Sequence, residues 1–377
     1  MVVGLSLYLD LFRLLMALMV VAAHVSGDPH FGGSFATPRF GEEAVIGFFA
    51  LSGFVIAHVA ATRERNLSAF AASRLARIWV VLAPALVLTP LIDAIGRQFS
   101  TSAYDGWGSV LQFDHPLLRL LAAGLFVNEN WFLSIVPLSN VPAWSLGFEA
   151  WYYAIFAAFI FSSRAVRPLA AGALCVAAGA KILLLAPVWL LGALVYKKRD
   201  LIRLSRPAAL ALFLGAPALI IILKALHVSS NLHEAGKLLL GAEFVDGDLG
   251  YAGNFLWQNL VGALFCVQFA GAIAMSGPLG RLLAPGEKMI RFGAASTLSI
   301  YLLHFPLALM IAAMLADHVG AGFKMAASFA GAVALSTLAG LPLAMLHTPL
   351  RARLQSAFTL LERQEELKAP ALRSERS

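Results

Sequence analysis

The first apolar segment of the chain carries two side chains that could do chemistry, Arg13 and His24. They are eleven positions apart, which at about 100° and 1.5 Å per residue places them on one helix face, about 16 Å from each other. Histidine is the usual general base near neutral pH, and a guanidinium can stabilise a developing negative charge. Asp10, about one helical turn before Arg13, could neutralise the cation. A catalytic helix face and a structural ion pair with an interfacial histidine explain this pattern equally well.

A carboxylate interrupts another apolar segment at Glu149. Ser145 precedes it by four positions, and Tyr152 and Tyr153 follow it by three and four, so all three share its side of a helix. Trp144 begins the same segment. Because a carboxylate inside a membrane helix has to be paired or protonated, we interpret Glu149 as a functional group.

Two further apolar segments contain polar side chains. Tyr301 and His304 share a helix face, and Pro306 should bend the helix beside them. A lone buried histidine is usually a satisfied core residue, but one beside a tyrosine and a proline is a candidate for function. Lys181 is another buried charge, and the sequence suggests no partner for it.

Arg74 and Arg77 share a helix face where a further apolar segment begins. Two guanidinium groups suit a phosphate, whose oxygens they bind bidentately. Basic residues that flank a membrane segment on its cytoplasmic side give the same pattern, and from this segment alone that explanation is favoured.

These side chains must be positioned by membrane helices. Of the 377 residues, 60% are hydrophobic and only 13% are charged, with a mean hydropathy of +0.79, whereas a soluble domain carries about 25% charged residues. The apolar runs are long enough to cross a bilayer, which takes about 20 residues. The net charge of +7 then belongs on the cytoplasmic side and does not point to nucleic acid. We expect an integral protein of a bacterial inner membrane.

We predict an all-α fold, a polytopic bundle of about ten transmembrane helices. Twenty of the 28 Lys and Arg residues lie in alternate loops and in the tail, which places both termini in the cytoplasm. Residues 1–349 form the transmembrane domain, and residues 350–377 form a short charged cytoplasmic tail, as a surface helix or disordered. In the outer loop of residues 97–143, the apolar stretch 117–127 is predicted to be interfacial or re-entrant. The predicted spans are 5–25, 43–61, 77–96, 144–162, 168–185, 187–197 (the shortest), 207–227, 251–275, 292–316 and 321–346.

These segments, in this order, resemble the membrane acyltransferase-3 family from about Leu9 to Pro306. Members acylate sugars and related acceptors on the far side of a membrane. The stretch Phe-Phe-x-Leu-Ser-Gly-Phe from Phe48 to Phe54 matches a family motif and contains Ser52, although its small residues also favour close helix packing. The other matches are Arg13 with His24, Arg74 with Arg77, the stretch from Trp144 to Glu149, and Tyr301 with His304 and Pro306.

The resemblance implies an O-acyltransferase that moves an acyl group, with acetyl expected, from cytosolic acyl-CoA to a hydroxyl of an extracytoplasmic glycan or glycolipid. Polysaccharide O-acetylation would be such a reaction. Acyl-CoA, with acetyl-CoA expected, is then the donor substrate, and the partners are the lipid bilayer and the glycan acceptor. The resemblance predicts no metal.

The same resemblance implies roles for the residues. His24 is the expected base on the acceptor hydroxyl. Arg13 would steady the thioester carbonyl or the donor inside the bundle, and Glu149 would orient or charge-stabilise His24 if their helices touch. The donor would be bound by Arg74, Arg77, Tyr301 and His304. Further candidates are Asp10, Ser52, Trp144, Ser145 and Tyr153.

Two positions depart from the family pattern. Ile46 stands where members commonly have an acidic residue, and Ala150 stands where many have a second Glu, so acceptor contacts are expected to differ. The alternative function is a transporter or flippase for a sugar or lipid-linked glycan, which also carries intramembrane charges. Transporters often show repeated halves, and the sequence has none.

Overall fold

The computed structural model describes residues 1–34, 39–64, 66–105, 107, 110–316 and 318–374, with backbone only for 361–374. Over those residues the chain is helical and forms no β-strand, which confirms the predicted all-α bundle. Short 3₁₀ or π turns lie at Pro29–Phe31, Val141–Ala143, Arg199–Leu201, Phe244–Asp248, Gly250–Ala252 and Ala284–Gly286. The α-helices are α1 (Val3–Ser26), α2 (Gly41–Thr62), α3 (Leu67–Phe99), α4 (Ser102–Asp105), α5 (Pro116–Gly124), α6 (Trp144–Phe161), α7 (Arg167–Ala178), α8 (Ala180–Lys198), α9 (Arg206–Ala225), α10 (Val228–Leu240), α11 (Phe255–Ala274), α12 (Ser276–Leu283), α13 (Glu287–Leu315) and α14 (Ala321–Ser374).

In the described part of the chain, nine helical segments are long and apolar enough to cross a membrane. They include α1, α2, α3, α6, α8, α9, α11, α13 and α14. The protein is therefore an integral membrane protein, as predicted. Helix α14 continues without a break past residue 350 to Ser374, so the charged tail begins as an extension of the last span.

The predicted boundary between the fifth and sixth spans is wrong. The break expected before Pro187 lies instead at Gly179, and Pro187 is inside α8. Gly179 has φ +89°, a conformation that L side chains rarely adopt, and a Cβ there would lie 2.6 Å from the backbone nitrogen of Trp131. The short helix of this region is therefore α7 and not the predicted span 187–197. The 12 residues of α7 extend about 18 Å and cannot cross a hydrocarbon core of about 30 Å.

Residues 125–143, an irregular segment between α5 and α6, complete this part of the bundle. Its Asn130 and Trp131 donate side-chain hydrogen bonds to the carbonyl oxygens of Ala177 and Val176, at 2.9 and 2.8 Å, and the Trp131 N–H donates to that of Ala178 at 3.3 Å. The last carbonyls of a helix have no partner within it, so this segment satisfies the free end of α7. The helix predicted at 117–127 is present as α5.

Helix α1 contacts α2, α11, α12 and α13. The ring of its Phe12 meets Phe265 and Phe269 of α11 edge to face, with centroids 5.4 and 5.1 Å apart. Such pairs add to the energy of apolar burial and depend on geometry. They therefore help to hold α1 at one rotation about its axis, and this rotation positions Arg13 and His24.

Helices α2 and α8 cross at two glycines, as the small residues of the α2 motif predicted. A Cβ on Gly53 would lie 1.9 Å from the carbonyl oxygen of Trp189, and one on Gly192 would lie 2.0 Å from that of Ala50. Both obstacles are backbone atoms, so a rotamer change cannot relieve the clash. The close crossing carries Ser52 of α2 to within hydrogen-bonding distance of Trp189.

We expect Gly192→Ala to destabilise the protein by about 1–3 kcal/mol, because the added methyl forces α2 and α8 apart. The measurement is the free energy of unfolding in mixed micelles. Gly215→Ala in α9 is the control, because no atom lies within 4 Å of its Cβ position, and it should be neutral or slightly stabilising. Equal effects of the two substitutions would contradict the packing role.

Candidate active site

A narrow cavity of about 70 Å³, the inner chamber, lies between α1, α2, α3, α6 and α13. It lies beside the N-terminal halves of α1 and α3, which the predicted topology places towards the cytoplasm. Most of the predicted site residues line this one cavity. The polar residues that line it are Arg13, Ser52, Arg77, Ser145, Glu149, Tyr153, Thr297 and Tyr301.

Glu149 is held in this chamber by hydrogen bonds from two helices. The Ser52 hydroxyl of α2 donates to its Oε1 at 2.6 Å, and the Tyr153 hydroxyl, one turn further along α6, donates to the same oxygen. Ser52 in turn accepts a bond of 3.2 Å from the indole N–H of Trp189. A buried carboxylate needs such donors, so the expectation that Glu149 is paired is met by hydroxyl groups.

Arg13 faces Glu149 across the inner chamber with little neutralisation from its own helix. The predicted pair with Asp10 is present, but its N–O distance is 3.7 Å. Asp10 is closer to Arg291 of α13, at 3.0 Å. Within the described residues the pair with Asp10 is the only ion pair or hydrogen bond of the Arg13 guanidinium, which lines the chamber and can meet an anionic or carbonyl oxygen there.

The structure separates the two arginines that were expected to act together. Arg74 is buried and bonds Glu64 at 2.8 Å, and it lines a lateral apolar cavity between α3, α6 and α7. Arg77 lines the inner chamber, and within the described residues it has no hydrogen-bond or ion-pair partner. An unpaired guanidinium in a cavity is the better phosphate ligand, so Arg77 is the stronger candidate of the two.

A second, larger cavity of about 720 Å³, the outer chamber, lies at the opposite ends of α1 and α2. Its wall combines charged, amide and aromatic groups from the ends of several helices and from the connection between α10 and α11. Except for His24, Trp144 and Tyr301, no sequence motif marked these residues, because they come from helix ends and loops that are distant in sequence. The main lining residues are His24, Arg39, Glu42, Trp144, Lys224, His233, Asp246, Tyr251, Asn254, Gln258 and Tyr301.

On the exposed rim of the outer chamber, Asp246 binds a lysine and a histidine. Lys237 and His233 lie 3.0 and 2.9 Å from its two oxygens. The hydrogen bond from Lys237 lowers the pKa of Asp246 below its ordinary value, so this carboxylate stays ionised at neutral pH. The rim therefore presents hydrogen-bonded, charged side chains to a molecule that enters the outer chamber.

Tyr301 lines both chambers. Its hydroxyl lies 2.7 Å from the Ser145 hydroxyl at the start of α6. Beside them, the Trp144 ring stacks on Tyr251 with centroids 4.3 Å apart and planes inclined by 5°. Tyr301 is thus shared by the two chambers, and its hydroxyl bonds a residue of the inner one.

A family model described as "Acyltransferase domain" matches residues 6–346. The chain belongs to this acyltransferase family. The resemblance to the acyltransferase-3 family is thereby confirmed, and every residue that lines the two chambers falls within the matched range. No curated protein and no solved structure matches the acyltransferase.

In the acyltransferase, His24 contacts His304 and does not contact Glu149. The His24 Nδ1 lies 2.9 Å from the His304 Nε2, while Glu149 is engaged by Ser52 and Tyr153. His304 is fully buried and lines neither chamber, so the structure does not place it in a donor passage. The two histidines come from helices far apart in sequence, which spacing within one helix cannot reveal.

Lys181 has the partner that the sequence did not suggest. Its Nζ lies 3.1 Å from Glu129 and 2.6 Å from the Ser134 hydroxyl, and it also donates to the carbonyl oxygen of Leu133. Both Lys181 and Glu129 have side chains with 0% exposure. The ion pair ties residues 125–143 to α8 just below Gly250 of the outer chamber wall.

Proposed function

We propose that this acyltransferase moves an acyl group, acetyl in the first instance, from cytosolic acyl-CoA to a hydroxyl of an extracytoplasmic glycan or glycolipid in a bacterial inner membrane. The observation that supports this most is the pair of chambers that share Tyr301. One is narrow and cationic and lies towards the predicted cytoplasmic side. The other is large and polar and lies towards the opposite side, so donor and acceptor can approach each other without either crossing the bilayer.

The inner chamber, of about 70 Å³, suits the acyl end of the donor, and the rest of the acyl-CoA would lie outside it. An acyl-CoA carries phosphates at one end and a thioester at the other, and the phosphates suit the unpaired Arg77. Arg13 and the Tyr301–Ser145 hydroxyl pair lie deeper, where the thioester would end. Glu149 offsets one of the two cations that line the same cavity, so the chamber keeps a net positive charge.

The outer chamber suits a sugar. Its volume of about 720 Å³ accommodates one or two sugar rings. Sugars need many hydrogen-bonding groups together with a flat apolar surface, and the wall offers Glu42, Asn254 and Gln258 beside the stacked Trp144 and Tyr251. His24 lines this chamber, and so it meets the acceptor.

The reaction is then a direct acyl transfer. His24 removes the proton of the acceptor hydroxyl while its oxygen forms a bond to the acyl carbon. In the Tyr301–Ser145 pair one hydroxyl donates to the other, and the hydroxyl whose proton is left free donates to the carbonyl oxygen as it becomes negative. The carbon–sulfur bond breaks, and the CoA thiolate receives the proton from His24, which restores the enzyme.

The decisive experiment compares extracytoplasmic glycans and glycolipids by mass spectrometry in cells with and without the gene. Loss of the gene should remove the mass of one acyl group from a glycan, and the wild-type gene should restore it. A transporter or flippase would change the amount or location of a glycan and leave its mass unchanged. A second arm measures free CoA thiol released by the purified protein in liposomes, which a transporter would not produce.

Arg77→Gln is expected to weaken acyl-CoA binding by about 10–100-fold, because it removes a charge-assisted hydrogen bond worth about 1.5–3 kcal/mol. The measurement is a titration of acetyl-CoA against the protein in nanodiscs. Arg203→Gln removes the same charge from an exposed residue between α8 and α9 and serves as the control. Equal losses in both variants, or none in Arg77→Gln, would rule out a specific donor contact.

A further inference from the structure

His304 lies between the backbone of its own helix and the ring of His24. Its Nδ1 is 2.8 Å from the carbonyl oxygen of Tyr301 and 3.0 Å from that of Ile300. Its Nε2 is 2.9 Å from the His24 Nδ1. Both ring nitrogens of His304 are thus engaged, and the side chain is 0% exposed.

The orientation of the two rings is that of a hydrogen bond in the ring plane. Their centroids are 5.1 Å apart and their planes are inclined by only 24°. With an N···N distance of 2.9 Å, these values describe two rings that meet edge to edge. Phe305 holds the His24 ring from the side, with an edge-to-face contact at 5.1 Å.

These contacts determine where the protons lie. A carbonyl oxygen only accepts hydrogen bonds, so the His304 Nδ1 must carry the proton. In the neutral ring the His304 Nε2 is then an acceptor, and the His24 Nδ1 must be the donor. The remaining nitrogen of neutral His24, Nε2, therefore carries a lone pair. In the described chain that atom has no hydrogen-bond partner, and His24 lines the outer chamber.

We propose that His304 is a positioning residue that fixes His24 in the tautomer protonated at Nδ1 and so presents the Nε2 lone pair to the acceptor hydroxyl. The role of His24 as a base rests on the proposed function, whereas the tautomer of His24 follows from its contact with His304. In the transfer step the hydroxyl proton moves to His24 Nε2, the new C–O bond forms and the C–S bond breaks. The thiolate then takes the proton from the same nitrogen.

The arrangement differs from that of a serine hydrolase, in which a carboxylate orients the histidine. Here the orienting group is neutral, and its own proton is bound by two backbone carbonyls. When His24 becomes an imidazolium, its Nδ1–H bond to His304 becomes charge-assisted and stronger. His304 thus stabilises the protonated base without adding a second buried charge.

The test uses a matched pair of substitutions at one position. Gln and Met have similar length and volume, but only the Gln side chain offers an oxygen that can accept the His24 Nδ1–H bond. The protein is labelled with ¹⁵N-histidine, reconstituted in lipid and examined by solid-state NMR. The signal of His24 among the nine histidines is identified as the one lost in His24→Gln.

The wild type should show a His24 that is protonated at Nδ1 and bare at Nε2. His304→Gln should keep this pattern and most of the acyl transfer rate. His304→Met should release His24 to the other tautomer and lower the rate by about 10²-fold or more. A wild-type His24 protonated at Nε2 would overturn the proposal, and so would a Met variant as active as the Gln variant. The expected tautomer in a protein that transfers no acyl group would refute the proposed function and leave the geometric assignment standing.

Discussion

Replacing His24 with Gln is expected to lower the rate of acyl transfer by about 10²–10⁴-fold, which is the usual contribution of a general base. The reason is that Gln keeps a polar side chain of similar size at the chamber wall but cannot take up a proton. The amide can still bond His304, so the fold should be preserved. The measurement is the release of CoA thiol by the purified variant, together with its binding of acetyl-CoA, which should be unchanged.

His58→Gln is the matched control. His58 lies on α2, towards the predicted cytoplasmic side, and its Nδ1 is 3.0 Å from the Tyr196 hydroxyl. It makes the same kind of buried contact as His24 but lines neither chamber. Its replacement should leave the rate within about tenfold of wild type. Undiminished turnover in His24→Gln would exclude His24 as the base, and an equal loss in His58→Gln would indicate a general effect on folding.

The parts of the fold that could be predicted are those set by local pattern. Long apolar runs separated by basic loops gave most of the spans within a few residues, although α3 begins at Leu67, ten residues before its predicted start, and the fifth and sixth spans were divided at the wrong place. The Asp10–Arg13 pair follows from their positions one turn apart. The helix break at Gly179 was missed because Pro187 was the more visible signal. At Gly179 the helix is interrupted by a positive φ, and the close approach of Trp131 leaves no room for a side chain there.

The contacts that organise the site join residues remote in sequence, and no periodicity encodes them. His24 and His304 are 280 positions apart, and Ser145 and Tyr301 are 156 apart. Each of these residues was identified as a candidate from its own segment, but its partner depends on which helices pack together. The outer chamber shows the same limit more strongly, because helix ends and loops from many parts of the chain build its wall, and their polar residues follow no periodic pattern.

The separation of the two chambers gives the individual residues distinct roles. Arg13 and Glu149 belong to the inner chamber and His24 to the outer one, so a single helix, α1, contributes to both sides of the partition. The spacing of Arg13 and His24 therefore sets the distance between the two half-sites. A shift of α1 along its axis would displace both side chains together relative to the other walls of the chambers, and the packing of α1 on α11 and α13 opposes such a shift.

Lys181→Met is expected to destabilise the acyltransferase by about 3–5 kcal/mol, because it leaves the Glu129 carboxylate buried without its cation. It also removes the donor bound by Leu133 and Ser134, so residues 125–143 lose their attachment to α8. The measurement is the free energy of unfolding in mixed micelles. Lys237→Met makes the same change in a solvent-exposed ion pair of α10 and should have a much smaller effect.

A double substitution separates the charge from the packing. Adding Glu129→Met to Lys181→Met replaces both buried ions by apolar side chains of similar length, and a buried ion pair exchanged in this way is often neutral. The double variant should therefore be more stable than Lys181→Met alone, with a coupling energy of about 0.5–3 kcal/mol. Strictly additive losses would show that the two side chains act independently. A recovered fold with lost acyl transfer would show that the pair also shapes the outer chamber, since Lys181 supports Gly250 and, next to it, the Tyr251 that stacks on Trp144.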